Sequence, residues 1–250
     1  MSNTNRIVII GATSAMAEHC ARLWVQGKSV DLTLVGRDTQ RVERVAADLR
    51  VRSPQSEIGV TTSDFLDPTA IRNTVDEIAA RGVIHTVLIA HGSLPEQDDC
   101  QDNLEVCRDA LEINGVSPVL FAEAFAKHMS QNNSGTLALI GSVAGDRGRK
   151  SNYVYGAAKG MVTRYAQGLQ HRFANTGIKV ILIRPGPTAT PMTTHLVGKG
   201  PRMASAEDVA RKIVEAIDRG QTNVYVPRKW AVIMLIIRHL PNSIFNKMDI

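Results

Sequence analysis

The sequence predicts an α/β protein built on a single doubly wound parallel sheet, with helices on both faces. Three observations carry that expectation. Apolar, β-rich runs alternate with amphipathic helical patterns from residue 6 to about residue 226. The runs are apolar at nearly every position, as in strands covered on both faces, rather than at alternate positions. No Pro/Gly/Ser-rich linker interrupts the alternation, so residues 1–226 read as one domain, with 227–250 as a helical tail belonging to it.

Strands are expected over residues 6–10, 31–35, 57–61, 84–90, 136–140, 179–183 and 223–226. Each is a short apolar or β-branched run bounded by turn residues. Helices are expected over 15–26, 40–50, 68–80, 103–113, 117–131, 153–175 and 206–219, where apolar residues recur with helical period. The helix over 68–80 has the clearest start, because Asp67 is a cap and Pro68 suits a first helical position.

Composition bounds the function. The chain has 250 residues, 44% of them hydrophobic and only 4% aromatic, so aliphatic packing dominates the expected core. Its 3 cysteines, Cys20, Cys100 and Cys107, lack framework spacing and read as free thiols of a cytoplasmic protein. The histidines show no pair at metal-ligand spacing. Met-Ser-Asn-Thr-Asn-Arg leads straight into the first strand run, without the pattern of a leader. No run is long enough to span a bilayer. The net charge of +5 is mild, and no basic stripe with interleaved aromatics points to nucleic acid. Anionic small molecules or an anionic membrane surface account better for it.

The first strand run is followed by Gly11-Ala-Thr-Ser-Ala-Met-Ala17. Strand, tight turn, then helix is the context of a Rossmann-type dinucleotide loop. Glycine permits the turn, and the helix N-terminus offers free N–H groups to a pyrophosphate. Gly11 keeps one glycine of a Gly-x-x-x-Gly-x-Gly pattern, while Ala15 and Ala17 hold the other places; Thr13, Ser14, Ala15 and Met16 complete the loop. The alternative is a plain strand-to-helix turn capped by Ser14. Gly36 and Arg37 end the second strand run, where an acidic residue would bind the ribose of NAD. A guanidinium suits a 2′-phosphate, so NADPH is expected over NADH, although Asp38 could still approach a 2′-hydroxyl. Asp64, after the third strand run, is placed to accept from an adenine amino group or to be an exposed turn residue.

Tyr155 and Lys159 stand four apart in Tyr-Gly-Ala-Ala-Lys, on one helix face, with Ser142 upstream in Leu-Ile-Gly-Ser. A cation beside a phenol lowers its pKa, which makes the pair a candidate general acid/base, and Ser142 could hold a substrate oxygen beside it. An ordinary helix face is the alternative. Tyr153 lies on a different face from Lys159.

With the loop, the serine and the Tyr-Lys pair in this order, about residues 5 to 226 resemble the short-chain dehydrogenase/reductase family. The resemblance maps Gly11, Ala15 and Ala17 onto the glycine loop. It maps Ala90-His91-Gly92 onto an Asn-Ala-Gly segment, with Ala90 departing from asparagine. Asn114 in Ile-Asn-Gly, the set Ser142, Tyr155 and Lys159, and Pro185-Gly186 with Thr188 and Thr190 match the remaining motifs. It implies hydride transfer from a nicotinamide to a carbonyl. Tyr155 would donate the proton, Ser142 would bind the oxygen, and Lys159 would depress the tyrosine pKa and bind the ribose. Asn114 would hold a water, His91 would line the cofactor site, and Thr188 and Thr190 would lie near the carboxamide. Pairing into a dimer or tetramer through the helices over 117–131 and 153–175 is also implied, with Ala122, Ala126, Ala158 and Ala166 as small faces.

Residues 230–237 form an unbroken apolar run flanked by Arg228, Lys229, Arg238 and Lys247. Such a helix suits a membrane surface, or packing on the body or on a second subunit. This tail, Gly-Ala-Thr-Ser and Arg-His-Leu-Pro are similar to the family branch that forms the reductase half of decaprenylphosphoryl-ribose 2′-epimerases. That branch implies a keto sugar on a polyprenyl phosphate, a flavin oxidase partner and a location at the inner face of the membrane. A fatty-acyl or steroid ketoreductase, and a non-catalytic nucleotide-sensing scaffold, stay open. Residues 190–202 read as a substrate lid, with Met192, His195, Leu196 and Met203 as lining and Gly198 and Gly200 as flexible points.

Overall fold

The computed structural model describes residues 5–196, 198 and 202–248; the side chain of Leu196 and the lid residue Gly200 lie outside the described part. The strands are β1 (Asn5–Ile10), β2 (Val30–Gly36), β3 (Glu57–Thr62), β4 (Thr86–Ile89), β5 (Gly135–Ile140), β6 (Ile178–Pro185) and β9 (Asn223–Val226), with a small pair β7 (Thr188–Ala189) and β8 (Ala204–Ser205). The main sheet runs β3-β2-β1-β4-β5-β6-β9 and is parallel throughout. This is the doubly wound Rossmann-type sheet expected from the sequence. The order reverses between β1 and β4, which is where ligand crevices open in such sheets.

Alternate residues of each strand feed opposite faces. Ile7, Ile9, Leu88, Ala138, Ile140, Ile181 and Ile183 pack into one core with α1 (Ala15–Gly27) and α8 (Ala206–Asp218). Val8, Ile10, Val87, Ile89, Leu137, Leu139, Val180 and Leu182 pack into the other. That second core is closed by α3 (Pro68–Ala80), α6 (Ser117–Asn132) and α7 (Tyr153–Arg172). The unbroken apolar runs follow from this: every position in a central strand has a layer to meet.

Local chemistry sets the helix starts. Asp67 accepts from the amides of Thr69 and Ala70, fixing α3 where Pro68 begins it. Asp38 caps α2 (Thr39–Arg52) by accepting from Arg41 N at 3.0 Å. That bond gives Asp38 a structural role through Oδ1. Asn103 caps α5 (Leu104–Leu111), which follows the short α4 (Gln97–Asp102), a helix the sequence pattern did not announce.

The sequence places a break between the helices over 103–113 and 117–131; instead the chain stays helical from α5 to α6, widening into a π turn over Glu112–Val116. Asn114 sits in it, fully buried, and its side chain donates to the Ala110 carbonyl at 2.8 Å. The side-chain amide thereby satisfies a carbonyl that a regular turn would otherwise bond, and wide turns of this kind recur at functional sites. The long helix expected to residue 175 ends at Arg172, and the strand expected over 84–90 is β4 alone. Ala122, Ala126, Ala158 and Ala166, expected as a free small face, are each 0% exposed and serve packing within the chain.

The tail forms α9 (Lys229–His239) and α10 (Asn242–Phe245). Trp230 and Met234 are buried against Val143, with Ile233 and Ile237 beside them. Arg147 ties the end of α9 down by donating to the carbonyls of Ile237 and Leu240 and to Asn242 Oδ1, with its guanidinium 3.8 Å above the Phe245 ring. The outer face of α9 leaves Val232, Leu235 and Ile236 exposed. No helix among the described residues is long and apolar enough to cross a membrane.

Candidate active site

A cleft opens at the C-terminal ends of β1, β4, β5 and β6. One wall carries Ser14 and Met16 from the first loop, with Ala90, His91 and Gly92 from the end of β4. The other carries Ser142, Tyr155, Lys159 and Asn114, and Pro185, Gly186, Thr188 and Thr190 close it. Residues far apart in sequence meet here because each follows the end of a neighbouring strand or begins the next helix.

The loop after β1 is shaped by Gly11, whose φ is +83° and whose missing Cβ would lie 2.6 Å from His91. Both facts require glycine. Ser14 occupies the N-cap of α1 but makes no side-chain cap bond, so the plain capping role is not used. Ala15 and Ala17 stand inside α1. Gly36 admits the Val42 side chain of α2, and a Cβ there would overlap it. Arg37 is exposed and holds no bonded partner among the described residues. Asp64 is exposed, accepts from Leu66 N at 2.8 Å, and does not border the cleft. Gly11, Thr13, Ala15 and Arg37 also lie outside the cleft lining, around the first loop and the end of β2. A turn that only glycine can make, an uncapped helix N-terminus and an unpaired guanidinium after β2 fit a phosphorylated dinucleotide.

His91 turns its side chain inward. Its Nε2 lies 2.9 Å from Ser117 Oγ, and its ring packs edge-on against Phe65 and Phe121. Burial, together with the charges of Lys159 and Arg37, holds its pKa down at about 3, so the ring is neutral. It lines the cleft by position and offers no base.

Asn114 accepts from Ser93 N at 2.9 Å and donates to Ser93 Oγ at 3.2 Å, which fixes the strand end below Gly92. A Cβ on Gly92 would lie 2.7 Å from Asn114 Oδ1, so that residue too must be small. Lys159 is 3% exposed and donates to the Ile140 carbonyl at 3.1 Å. Burial pushes its pKa down to about 8. Ser142 begins a 3₁₀ turn over Val143–Asp146, accepting from Ala144 N at 3.1 Å, and its hydroxyl acts on the Tyr155 phenol to lower its pKa.

Tyr155 departs from the expectation of a phenol tuned toward neutrality by Lys159. Burial raises its pKa, the Ser142 hydroxyl only partly offsets that, and the ammonium lies 5.8 Å from the ring centroid. Desolvation of both groups outweighs their attraction at this separation.

The lid expected over 190–202 begins as a 3₁₀ turn over Pro191–Leu196. Met192 lines the cleft, but His195 instead faces Glu96, 3.4 Å away, and Met203 does not border the cleft. Sequence reasoning missed Arg149, Asn152, Leu94 and Val143, all on the cleft wall. Arg149 and Asn152 carried no motif, and only their place between Ser142 and Tyr155 could have drawn attention to them. It also missed that Gly186 is small because Trp230 of α9 lies against it.

The comparisons with known proteins agree with this architecture. Residues 5–199 match the family profile described as short chain dehydrogenase, and the chain belongs to that family. It is an oxidoreductase of that class. It is 27% identical to a Streptomyces coelicolor protein named only as an uncharacterized oxidoreductase, over 97% of this chain and 95% of that one. A Mycobacterium tuberculosis protein with the same kind of name is 28% identical over 97% of this chain and 96% of its own length. Among solved structures, a short-chain dehydrogenase from Sphingobium yanoikuyae in complex with NADPH superposes with a TM-score of 0.83 at 21% identity, covering 98% of this chain and 96% of that one. A bulky-bulky ketone specific alcohol dehydrogenase from Comamonas testosteroni gives 0.80 at 20% identity, covering 99% and 96%.

Proposed function

We propose that the chain is an NADPH-dependent ketoreductase. The observation that carries this reading is the convergence of Ser142, Tyr155 and Lys159 on one cleft, beside a loop shaped for a dinucleotide. The NADPH-bound relative in the same fold supports the cofactor, with NADH as the weaker alternative. When bound, NADPH supplies the hydride. Tyr155 holds the proton that the substrate oxygen takes up, and its raised pKa keeps that proton in place at neutral pH. Ser142 donates to the same oxygen as charge grows on it. Lys159, anchored on Ile140, presents a cation at the cofactor ribose, and Asn114 braces the strand end beneath it through Ser93. Gly11, Ser14, Ala15 and Met16 would receive the pyrophosphate, and Arg37 would pair with the 2′-phosphate. Asp64 would be the residue nearest the adenine, and Pro185, Gly186, Thr188 and Thr190 would hold the carboxamide.

For the substrate we infer a keto sugar on a polyprenyl phosphate, delivered by a flavin oxidase at the inner face of a membrane. The outer face of α9 supports this: exposed Val232, Leu235 and Ile236 lie among Arg228, Lys229, Arg238 and Lys247, the arrangement that favours an anionic lipid surface. Self-association into a dimer or tetramer is supported by exposed Leu104, Val116 and Met161 on the α5–α7 side.

The test is NADPH oxidation against a panel of keto sugars, acyl ketones and steroid ketones, with Tyr155→Phe as control. The variant should bind NADPH, followed by its fluorescence, while turnover falls by about 10²–10⁴-fold. NADPH binding with no carbonyl reduced across the panel would overturn the reading in favour of a nucleotide-sensing scaffold.

A further inference from the structure

The charged residues lining the cleft are Lys159 and Arg149, both cations; no carboxylate borders it among the described residues. Lys159 is engaged by the Ile140 carbonyl. Arg149 is not engaged. It lies in the loop between the Ser142 turn and α7, half-buried, with its Nε buried and without a hydrogen-bond partner. It forms no ion pair with any described residue. The carboxylate nearest in sequence, Asp146, is committed elsewhere: Arg184 lies 3.5 Å from it, and the Tyr225 hydroxyl donates to it at 2.6 Å. Asn152, three residues on and also in the cleft wall, has its Oδ1 buried and unbonded as well. Two polar atoms on the Tyr155 side of the cleft, Arg149 Nε and Asn152 Oδ1, therefore stand buried and unsatisfied, which native structures rarely tolerate without a ligand or other partner to meet them. The guanidinium also has its pKa held below the ordinary value by burial, with Asp146 opposing that only in part. A planar fork of donors in such a place matches the paired oxygens of an anion.

We propose that Arg149 is a specificity-determining residue that binds an anionic group, a phosphate ester or a carboxylate, on the carbonyl substrate, with Asn152 hydrogen-bonding the same molecule. That the anion belongs to a substrate rests on the ketoreductase reading; the anion site itself does not depend on turnover.

The experiment is calorimetric. NADPH-saturated protein, in which the first loop is occupied, is titrated with phenyl phosphate, with benzoate and with neutral benzamide. At least one anion should bind more tightly than benzamide, and whichever binds tighter names phosphate ester or carboxylate. Arg149→Ala should weaken that anion about tenfold or more and leave benzamide unchanged, and Arg149→Lys should restore part of the loss. Equal binding of anions and benzamide, or an Arg149→Ala protein that binds the anion as well as wild type, would overturn the proposal. NADPH binding and ketone turnover are scored separately, so a failed reductase reading and a failed anion site give different results.

Discussion

Lys159 points its ammonium at the Ile140 carbonyl, 3.1 Å away, rather than at the oxygen of Tyr155. Both the lysine and the tyrosine are desolvated, and each has its pKa moved toward its neutral form. The titration that falls nearest neutrality is then that of the lysine, at about 8, while the phenol keeps its proton well above that. For reduction, kcat/KM should decline as pH rises past about 8, when Lys159 loses its charge. A pH–rate profile of the free enzyme reads this directly. In Lys159→Arg, whatever its absolute rate, the decline should move out of range, because a guanidinium does not titrate there. A profile unchanged in shape by that substitution would remove Lys159 as its origin.

Arg37 stands free at the end of β2, and Asp38 beside it is occupied as the cap of α2. Arg37→Ala should therefore weaken NADPH binding about tenfold to a hundredfold, the range of a charge-assisted bond, and leave NADH nearly unchanged. Paired fluorescence titrations with the two cofactors check it; equal losses would detach Arg37 from the 2′-phosphate.

His91 gives a stability prediction. Its folded pKa of about 3 lies below the ordinary 6.5, so the unfolded chain takes up a proton that the folded chain refuses. Its contribution is fully present above about pH 6.5 and is lost as pH falls toward 3, at up to about 1.4 kcal/mol per pH unit. Urea midpoints for wild type and His91→Phe across that interval should diverge in slope, the variant being flatter. Phenylalanine preserves the edge-on contacts with Phe65 and Phe121 while removing the titrating ring. Parallel slopes would mean the acid sensitivity originates elsewhere.

Gly186 and Trp230 should behave as a coupled pair. A methyl on Gly186 would enter the indole, so Gly186→Ala must lift α9, at about 1–3 kcal/mol for overpacking of this kind. In a Trp230→Ala background the same methyl finds room, and its effect should vanish. A double-mutant cycle by calorimetric thermal unfolding measures the coupling, and tryptophan emission of Gly186→Ala against wild type reports whether Trp230 becomes exposed. Additive losses would show that the two residues do not meet.

The parts of the fold legible in the sequence are those fixed by chemistry near at hand. Unbroken apolar runs located the central strands because each strand feeds two cores, and Asp67-Pro68 located the start of α3 because the cap bonds run to the next amides. The four motif positions Asn114, Ser142, Tyr155 and Lys159 could be found from order and type. What those residues do to one another could not. The π turn at Asn114 is met by Ser93 from the loop after β4, and the direction of the Tyr155 shift depends on burial that no spacing reveals. The small residues Ala122, Ala126, Ala158 and Ala166 show the same limit: periodicity discloses that a face is small, not whether it meets another subunit or the chain's own core.

The seating of α9 on Val143 and Gly186 has a practical corollary. An affinity tag, a fusion partner or a surface-immobilisation handle attached after residue 248 would tug on the element that backs Val143 and Gly186 of the cleft wall, with the Arg147 bonds and the buried Trp230 and Met234 resisting it. Handles of this kind belong at the opposite end of the polypeptide, where β1 begins at the end of the sheet remote from the cleft.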